Sequence, residues 1–454
     1  MAQLGESGPG PAIDENAAEP TTSAGGRRAS TRACVSWVGT GYLLICVWVT
    51  VNAVFTSFGW PFPHSQWLAG EPAGGRGLAL LAACGVAVSL AAVGSHAVSP
   101  RQWPLIAALA AWLLGPWLSM VVLGSSYDAR YWKIAVSGCA VAFAATVVTA
   151  NHLAALLRFL GWVFGWGSVI AGVSQLFVGW PVVLIGGDQR HLEWLSTLGI
   201  SASSTMVLNG LSPGRLFLAM TCGLLLVIVL RQGRFGTHRW TTTLLAAGLV
   251  LAVLWSAGRV GVMAAGTGLI AAMIPWHRWP RWVAFLSAIV IPLAPLVASR
   301  AFISPEGSAQ WRFDLWSSYF SQTDVWSPFG LGPAEPVVAV RGHAHNQLLE
   351  SLSGGGWISL GGLLAFLYLA LVVARLAEDN HLTYGVVFAM CGIFAFDVLS
   401  FAPSFTSLNT AFVMGVGVVV NAASPRHSRL LGKPADPLDH HPQHRPCRTT
   451  RQLS

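Results

Sequence analysis

Long apolar stretches separated by short polar segments dominate the pattern of this chain. A helix of about 18 to 25 apolar residues matches the hydrocarbon core of a bilayer, which is roughly 30 Å thick. By this criterion the pattern predicts twelve transmembrane helices, near residues 34–58, 76–98, 103–123, 132–150, 153–179, 212–230, 240–257, 260–276, 281–299, 347–374, 382–401 and 404–421. The predicted fold class is therefore all-α, a polytopic integral membrane protein with about 12 transmembrane helices.

The segments outside these stretches divide the chain further. Residues 1–33 are rich in Gly, Ala, Pro, Ser and Thr, and residues 425–454 are rich in Pro, His and Arg. Such compositions favour disorder, so we expect a disordered arm and a disordered tail around a membrane domain at 34–424. The longest segment between predicted spans, 300–346, is one large loop between spans 9 and 10.

The composition of loop 300–346 argues against disorder. In "AQWRFDLWSSYF", aromatic and aliphatic residues recur every three or four positions, which predicts a short amphipathic helix lying on the membrane surface. The following "SPFGLGP" (327–333) is typical of a turn, because its glycines adopt backbone geometries that other residues resist. Long irregular segments in compact proteins are usually functional or disordered, so we expect a function here.

Composition supports the membrane class and narrows the partners. The chain is 54% hydrophobic and 10% charged, whereas an ordinary soluble domain is about one quarter charged. Its net charge of +8 could indicate nucleic-acid binding, but the basic residues mostly cap apolar segments, so we expect membrane lipids and no nucleic acid as partners. The seven Cys fall mostly singly in apolar runs, which predicts neither disulfides nor a metal site.

The distribution of basic residues predicts the orientation. Alternating the twelve spans places 17 of the 26 Lys and Arg residues on one side, and this richer side should be cytoplasmic. Both termini then face the cytoplasm and loop 300–346 is extracytoplasmic. The nine basic residues on the outer side oppose this bias, so some of them are candidates for a function beyond snorkelling at the interface.

Two of these outer arginines stand in motifs that favour anion binding. In "WSAGRVGVMAAGTG", Arg259 interrupts an apolar stretch, and Gly258 and Gly261 leave backbone N–H groups accessible beside its guanidinium, as phosphate oxygens require. The alternative is an arginine that anchors a tight turn. In "NGLSPGRLF", Arg215 lies at the outer start of the sixth span, where it either meets an anionic headgroup or snorkels.

The third candidate motif, "HAHNQLLE", precedes the tenth span. His343 and His345 point to one side if the backbone is extended, and diverge by about 200 degrees if it is helical. Asn346 and Glu350 are four residues apart, so they share a face at the helix start, either buried in the protein or lining a wet cavity. Small residues four apart in the helix that follows predict close packing against another span: Ser351, Gly355 and Ser359.

Four motifs in this order resemble the O-antigen ligase and polymerase superfamily of bacterial membrane enzymes. They are "SAGRVG", the R-x-x-x-W element from Arg312 to Trp316, the turn "PFGLGP", and "HAHNQLLESLSGGGWISLGGLL". The resemblance covers residues 210–375 well and the remainder only in span count and topology. In family members an arginine often precedes the glycine that corresponds to Gly210, whereas this chain has Val207, Leu208 and Asn209. Either Arg215 or Arg190 then supplies the second cation, or one contact is lost.

The resemblance implies a metal-independent, inverting glycosyltransferase of the bacterial cytoplasmic membrane that uses no cofactor. Its donor is a glycan on undecaprenyl diphosphate, and its acceptor is a hydroxyl of a lipid or a growing glycan, as in the synthesis of envelope polysaccharide. The implied catalytic residues are Arg259 at the diphosphate and His345, with His343 second, at the acceptor hydroxyl. The residues expected to support substrate binding are Arg215, Arg312, Arg341, Asn346 and Glu350.

Two other classes of function stay open. Twelve spans are also common among transporters and flippases, although the predicted spans contain few charges, with Asp397 a clear exception, and show no internal repeat. A metal enzyme would need ligands besides the H-x-H pair, which only Glu335 or Glu350 could supply nearby.

Overall fold

The computed structural model describes about half of the chain. The described residues are 99–123, 150–181, 184–186, 206–208, 210–211, 215–232, 239–302, 308–321, 323–332, 345–377, 379–395 and 410–423. The predicted spans at 34–58 and 76–98, nearly all of 132–150, the arm 1–33 and the tail 425–454 lie outside these residues.

The described part of the chain is mostly helical, in agreement with the predicted class. The helices, in chain order, are α1 (Trp103–Leu123), α2 (Ala150–Trp162), α3 (Ser168–Val178), α4 (Arg215–Gln232), α5 (Arg239–Trp255), α6 (Arg259–Met273), α7 (Arg281–Phe302), α8 (Ser308–Ser321), α9 (Gln347–Leu376), α10 (Asn380–Phe394) and α11 (Thr410–Ala422). A π-helical turn, Val163–Gly167, joins α2 to α3, so that these two form one continuous element.

Within the described residues, three helices are long and apolar enough to cross a membrane. They are Trp103–Leu123, Leu157–Val178 and Gln347–Leu376, and the first has the same bounds as the predicted span. Shorter apolar helices cover Arg239–Trp255, Arg259–Met273, Arg281–Pro295 and Asn380–Phe394. The all-α membrane class is thus supported, while the number of twelve spans and the outer position of the large loop stay predictions.

Helix α6 is shorter than the predicted span 260–276 for a local reason. Its backbone becomes extended at Ile274, and Pro275 follows, which has no N–H with which to continue the helical hydrogen bonds. The chain then makes a short 3-10 turn, Trp276–Arg278, before α7 begins at Arg281.

Small residues bring α1 and α9 into close contact, as their spacing predicted. A Cβ added at Gly355 would lie 2.6 Å from the backbone nitrogen of Pro116, and the side chain of Ser359 lies against Gly115. The serines also bond to Trp112, whose indole donates to Ser351 Oγ at 3.0 Å and whose carbonyl accepts from Ser359 at 2.8 Å. Polar groups and small size together fix this interface.

Helix α9 contains a break that the apolar pattern did not predict. Gly356 has φ +61° and ψ −155°, a conformation that essentially only glycine adopts. The turn at 327–332 fills the break, because Leu331 donates its N–H to the carbonyl of Ser353 at 2.7 Å and Ile358 donates to that of Pro328 at 3.3 Å. The "SPFGLGP" turn is thereby confirmed, and it is joined to the helix by backbone hydrogen bonds.

A short antiparallel hairpin is a second element that the apolar pattern did not predict. Strand β1 (Leu184–Gly186) pairs with β2 (Met206–Leu208), with Ile185 opposite Val207. The indole of Trp255, at the end of α5, donates to the carbonyl of Met206 at 3.1 Å. The hairpin therefore covers the end of the helix bundle at which α5 finishes.

Candidate functional site

The starts of α4 and α6 lie side by side, and each helix begins with an arginine. A Cβ added at Gly258, just before α6, would lie 3.8 Å from the carbonyl oxygen of Arg215. Further along, Gly261 packs on the backbone of Ala219, and Gly268 packs on Val227. Contacts that advance in the same direction along both helices show that α4 and α6 are parallel. Arg215 and Arg259 are therefore adjacent at one end of the bundle.

This pair of helix starts is suited to an anion. The first turn of a helix leaves backbone N–H groups without intrahelical partners, and each helix contributes about half a positive charge at this end. Gly258 precedes α6 in an extended conformation and has no side chain with which to cap those N–H groups. The side chain of Arg259 is exposed and that of Arg215 is half-buried. Two arginines and two helix dipoles of the same direction are thus located at one end of the bundle.

The turn before Arg259 has an unusual backbone. Ala257 has φ +48°, in the left-handed region that residues other than glycine seldom adopt. Its N–H donates to the carbonyl of Leu254 at 3.1 Å, and the buried Ser256 bonds through its hydroxyl to the carbonyl of Val253 at 2.8 Å. These bonds end α5 tightly and allow the chain to reverse within three residues before α6 begins.

His345 and Asn346 form the start of α9. His345 has φ +47° and is partly exposed, while Asn346 is extended and fully buried. The Asn346 side-chain oxygen accepts from the N–H groups of Leu348 and Leu349, and its amide donates to the carbonyl of Pro292 at 2.8 Å. Asn346 is therefore the N-cap of α9 and links it to α7. Its predicted role in substrate binding stays a prediction.

Glu350 lies one turn further along α9, on the same face as Asn346, and both are buried, which is one of the two arrangements that the sequence left open. Burial, together with the nearby negative charge of Glu350, raises the pKa of Tyr319 on α8. Tyr319 belongs to a small apolar cluster that fixes α8 against the start of α9. Its members are Leu315, Trp316, Tyr319, Val325, Leu349 and Leu352.

The predicted amphipathic helix is confirmed as α8, Ser308–Ser321. Its buried face contains Leu315, Trp316 and Tyr319, and Asp314 lies on the exposed side. This buried face contacts protein, so the aromatic residues of α8 serve first to attach it to α9. Whether α8 also lies on a membrane surface stays a prediction.

The break at Gly356 folds the first turns of α9 back along α7. Phe285 of α7 contacts Tyr368 of α9, with ring centroids 5.5 Å apart, and Asn346 bonds to Pro292. Seven residues of α7 separate these contacts, about 10 Å along a helix, whereas on α9 the same contacts are 22 residues apart, about 33 Å. A straight α9 could not make both contacts, so the turns before Gly356 are folded back.

The starts of α4 and α6 lie at the same end of the bundle as the break in α9 at Gly356. Gly385 of α10 packs near Ala272 of α6, and Gly392 packs near Met263, so these two helices are antiparallel. Helices α9 and α10 form an antiparallel hairpin, because only residues 377–379 connect them and they pack against each other. Arg215, Arg259 and the break at Gly356 thus lie at one end, while the position of His345 relative to the two arginines stays a prediction.

The other predicted site residues are less closely defined. Arg312 belongs to α8 by its backbone, at the end of the bundle where α9 starts. Arg341, His343, Arg190 and Glu335 lie outside the described residues, so the orientation of the two histidines relative to each other stays a prediction. Among the residues that the structure describes, no three His, Cys, Asp or Glu side chains form a group that could hold a metal.

Sequence patterns did not reveal that α4 and α6 are paired. The glycines that permit this approach, Gly223 and Gly261, are visible in the sequence, but nothing in their spacing names the partner of each. The signal that could have found the pair is the shared Gly-Arg step, Gly214–Arg215 and Gly258–Arg259, at the start of two apolar stretches.

No protein-family model, no curated protein and no solved structure matches this chain.

Proposed function

We propose that this chain is a glycosyltransferase of the O-antigen ligase and polymerase type. In this proposal it lies in a bacterial cytoplasmic membrane with about twelve spans, and both termini are cytoplasmic. It moves a glycan from an undecaprenyl-diphosphate carrier to a hydroxyl of a lipid or a growing glycan at the outer face. The four motifs that resemble the superfamily, in their order along the chain, are the first support.

The adjacent starts of α4 and α6 are the structural observation that carries the proposal. A lipid diphosphate is a compact anion held at the membrane surface, and its recognition requires several positive groups close together. Arg215 and Arg259 begin two adjacent, parallel helices, where the helix dipoles add to the charge of the two arginines. This arrangement also favours Arg215 over Arg190 as the second cation.

The reaction requires stabilisation of a leaving group and removal of one proton. The acceptor oxygen attacks the anomeric carbon, and the bond from that carbon to the diphosphate oxygen breaks on the opposite face. The electron pair goes to the diphosphate, where Arg259 and Arg215 stabilise the developing charge. His345 accepts the proton of the acceptor hydroxyl, or orients that hydroxyl for loss of the proton to water.

The surrounding residues have supporting roles in this proposal. Asn346 caps α9 and links it to α7, so that His345 is presented at a fixed position, and Glu350, buried on the same face, supports substrate binding. Arg312 and Arg341, together with His343, extend the positive and polar surface toward the glycan. Loop 300–346 would then serve as the part of the site that recognises the sugar.

Arg259→Ala tests the proposal directly. We expect it to lower transfer about 100-fold or more, because removal of one fixed group that stabilises developing charge typically has this effect. The measurement is transfer of lipid-linked glycan in membranes that contain equal amounts of the variant and the original protein. The matched control is Arg239→Ala, which removes an arginine from the start of α5, a helix that runs antiparallel to α4 and α6. Transfer retained by Arg259→Ala, or lost equally in Arg239→Ala, contradicts the assignment.

His345→Asn tests the second catalytic role without disturbing the backbone, because asparagine tolerates the left-handed conformation that His345 adopts. We expect a loss of about 100-fold in transfer at unchanged protein level.

In a deletion strain, collapse of a glycan length ladder to single repeats indicates a polymerase. Full-length glycan that stays on its lipid carrier indicates a ligase.

One observation favours the alternative of a transporter or flippase. Broken helices often line the substrate site of transporters, and α9 is broken at Gly356. In this chain the backbone groups that lose their helical partners at the break are hydrogen-bonded to the turn at 327–332. Such a rigid break also suits a catalytic site. Unchanged surface glycans with a changed flux of a polar solute or lipid-linked glycan in the deletion strain would support the transporter.

A further inference from the structure

A basic and aromatic surface lies at the end of the bundle opposite Arg259. The segment "WHRWPRW", residues 276–282, connects α6 to α7, and within it His277, Arg278, Trp279, Arg281 and Trp282 are all exposed. The segment is held to the bundle by its first residue. The buried Trp276 stacks on Phe388 of α10, with ring centroids 4.9 Å apart and an interplanar angle of 14°, and its indole donates to the carbonyl of Ala271 at 2.8 Å.

A third arginine comes to this surface from α9. Arg375, in the last turn of α9, donates from Nη1 to the carbonyl of Trp279 at 3.0 Å. Arg278, Arg281 and Arg375, from two separate elements, therefore converge where apolar helices end. Asp379, the residue before α10, is engaged as its N-cap and accepts from the N–H of Leu382 at 3.0 Å.

An exposed apolar stripe runs along α7 from this charged end. Trp282 is 63% exposed, and Leu286 and Val290, four and eight residues later, are also largely exposed on the same face of the helix. A stripe of this kind, one indole followed by aliphatic side chains, faces the acyl chains of a lipid in a membrane-embedded helix. The indole lies at the level where headgroups meet hydrocarbon.

We propose that this surface is a binding site for an anionic phospholipid. The lipid phosphate is held by Arg278 and Arg281, with Arg375 beside them, and one acyl chain lies along Trp282, Leu286 and Val290. The charge favours an anionic headgroup over a zwitterionic one, because guanidinium groups bind phosphate strongly and a second positive charge on the lipid would be repelled. The proposal depends on insertion of the helices in a membrane and not on glycan transfer.

Titration of the purified full-length chain in detergent tests the site. Native mass spectrometry would measure the binding of phosphatidylglycerol and of phosphatidylcholine with the same acyl chains. We expect phosphatidylglycerol to bind at least tenfold more tightly. Each basic residue near such a headgroup strengthens binding about fivefold, so Arg278→Ala with Arg281→Ala should weaken binding of phosphatidylglycerol about 25-fold.

Two further variants separate this site from a general effect of charge. The matched control is Arg101→Ala with Arg231→Ala, which removes two arginines from the same end of the bundle but outside the segment 276–282. It should change binding less than threefold. Arg278→Lys with Arg281→Lys keeps the charge and should keep most of the binding, which shows that the variants fold.

Three outcomes would overturn the proposal. The first is equal binding of the two phospholipids, and the second is equal weakening in the Arg101 and Arg231 control. The third is a change from dimer to monomer in the Arg278 and Arg281 variant without any change in lipid binding, because a second copy of the chain would then be the occupant of this surface.

Discussion

The two parts of the candidate site are built in opposite ways. At the starts of α4 and α6, Arg259 is exposed, and the groups that matter are the two arginines and the two helix dipoles. At the start of α9, Asn346 and Glu350 are buried, and the amide of Asn346 is occupied by bonds to α7 and α9. In our proposal the first part meets a ligand, whereas Asn346 in the second part caps α9 and links it to α7.

This difference assigns different consequences to changes in the two parts. Loss of a group that meets a ligand should remove activity and leave the fold intact. Loss of a group that holds a helix should lower the free energy of unfolding, and it should affect activity only through position. Stability and transfer, measured on the same variants, therefore distinguish the two parts.

The largest effect on stability is expected from Gly356→Ala. A Cβ at this position would meet the carbonyl of Pro328, and alanine resists φ +61°, so we expect a loss of about 3 kcal/mol or more. The measurement is thermal unfolding in detergent. Gly361→Ala, in the same helix, is the matched control, because a Cβ there meets nothing within 4 Å. A Gly356→Ala variant as stable as the control would mean that the turn does not depend on the break.

Gly261→Ala should lower both the free energy of unfolding and the rate of transfer, because Gly261 lies between the two helix starts that bear arginines. An added Cβ would lie 2.5 Å from the carbonyl oxygen of Ala219 and would force α4 and α6 apart. We expect a loss of about 1 to 3 kcal/mol in stability and about 10- to 100-fold in transfer. Gly266→Ala, with open space around it in α6, should leave both unchanged. Normal transfer by a destabilised Gly261→Ala would show that the spacing of the two starts does not matter.

A smaller effect is expected from Asn346→Ala, which removes the cap of α9 and the bond to Pro292. We expect a loss of about 1 to 2 kcal/mol in stability, with transfer reduced in proportion to the folded protein. Asn346→Ser keeps an oxygen that can accept from Leu348 and should recover about half of this loss. If Asn346→Ala instead lowered transfer 100-fold with unchanged unfolding, Asn346 would belong with the residues that meet the substrate.

Sequence patterns predicted the parts of this fold that follow from hydropathy and residue size. The bounds of α1, the helix α8, the turn at 327–332, and the serine and glycine stripe on α9 all depend on local spacing. The break at Gly356 could not be predicted in the same way, because Gly354, Gly355 and Gly356 are equivalent in the sequence. Contact with Pro328 and Gly330, distant along the chain, selects one of them.

The residues of the candidate site were named from motifs, but their arrangement could not be. Arg259 and His345 come from separate motifs, and their catalytic roles stay predictions. The adjacency of Arg215 to Arg259 depends on Gly223, Gly261 and Ala219 from two helices, and a single sequence does not state which small residues face each other. The hairpin of β1 and β2 was missed because strands of three residues give almost no alternating pattern.

The break in α9 has a consequence for how the chain is made. A helix that enters lipid with open backbone groups at 353–358 would expose polar atoms to hydrocarbon, which costs several kcal/mol for each group. The turn at 327–332 supplies their partners, and it precedes α9 in the chain, so it leaves the ribosome before α9 does. The turn and the helix should therefore enter the membrane together, and a chain in which the turn is deleted should stall at insertion rather than fold and then fail to act.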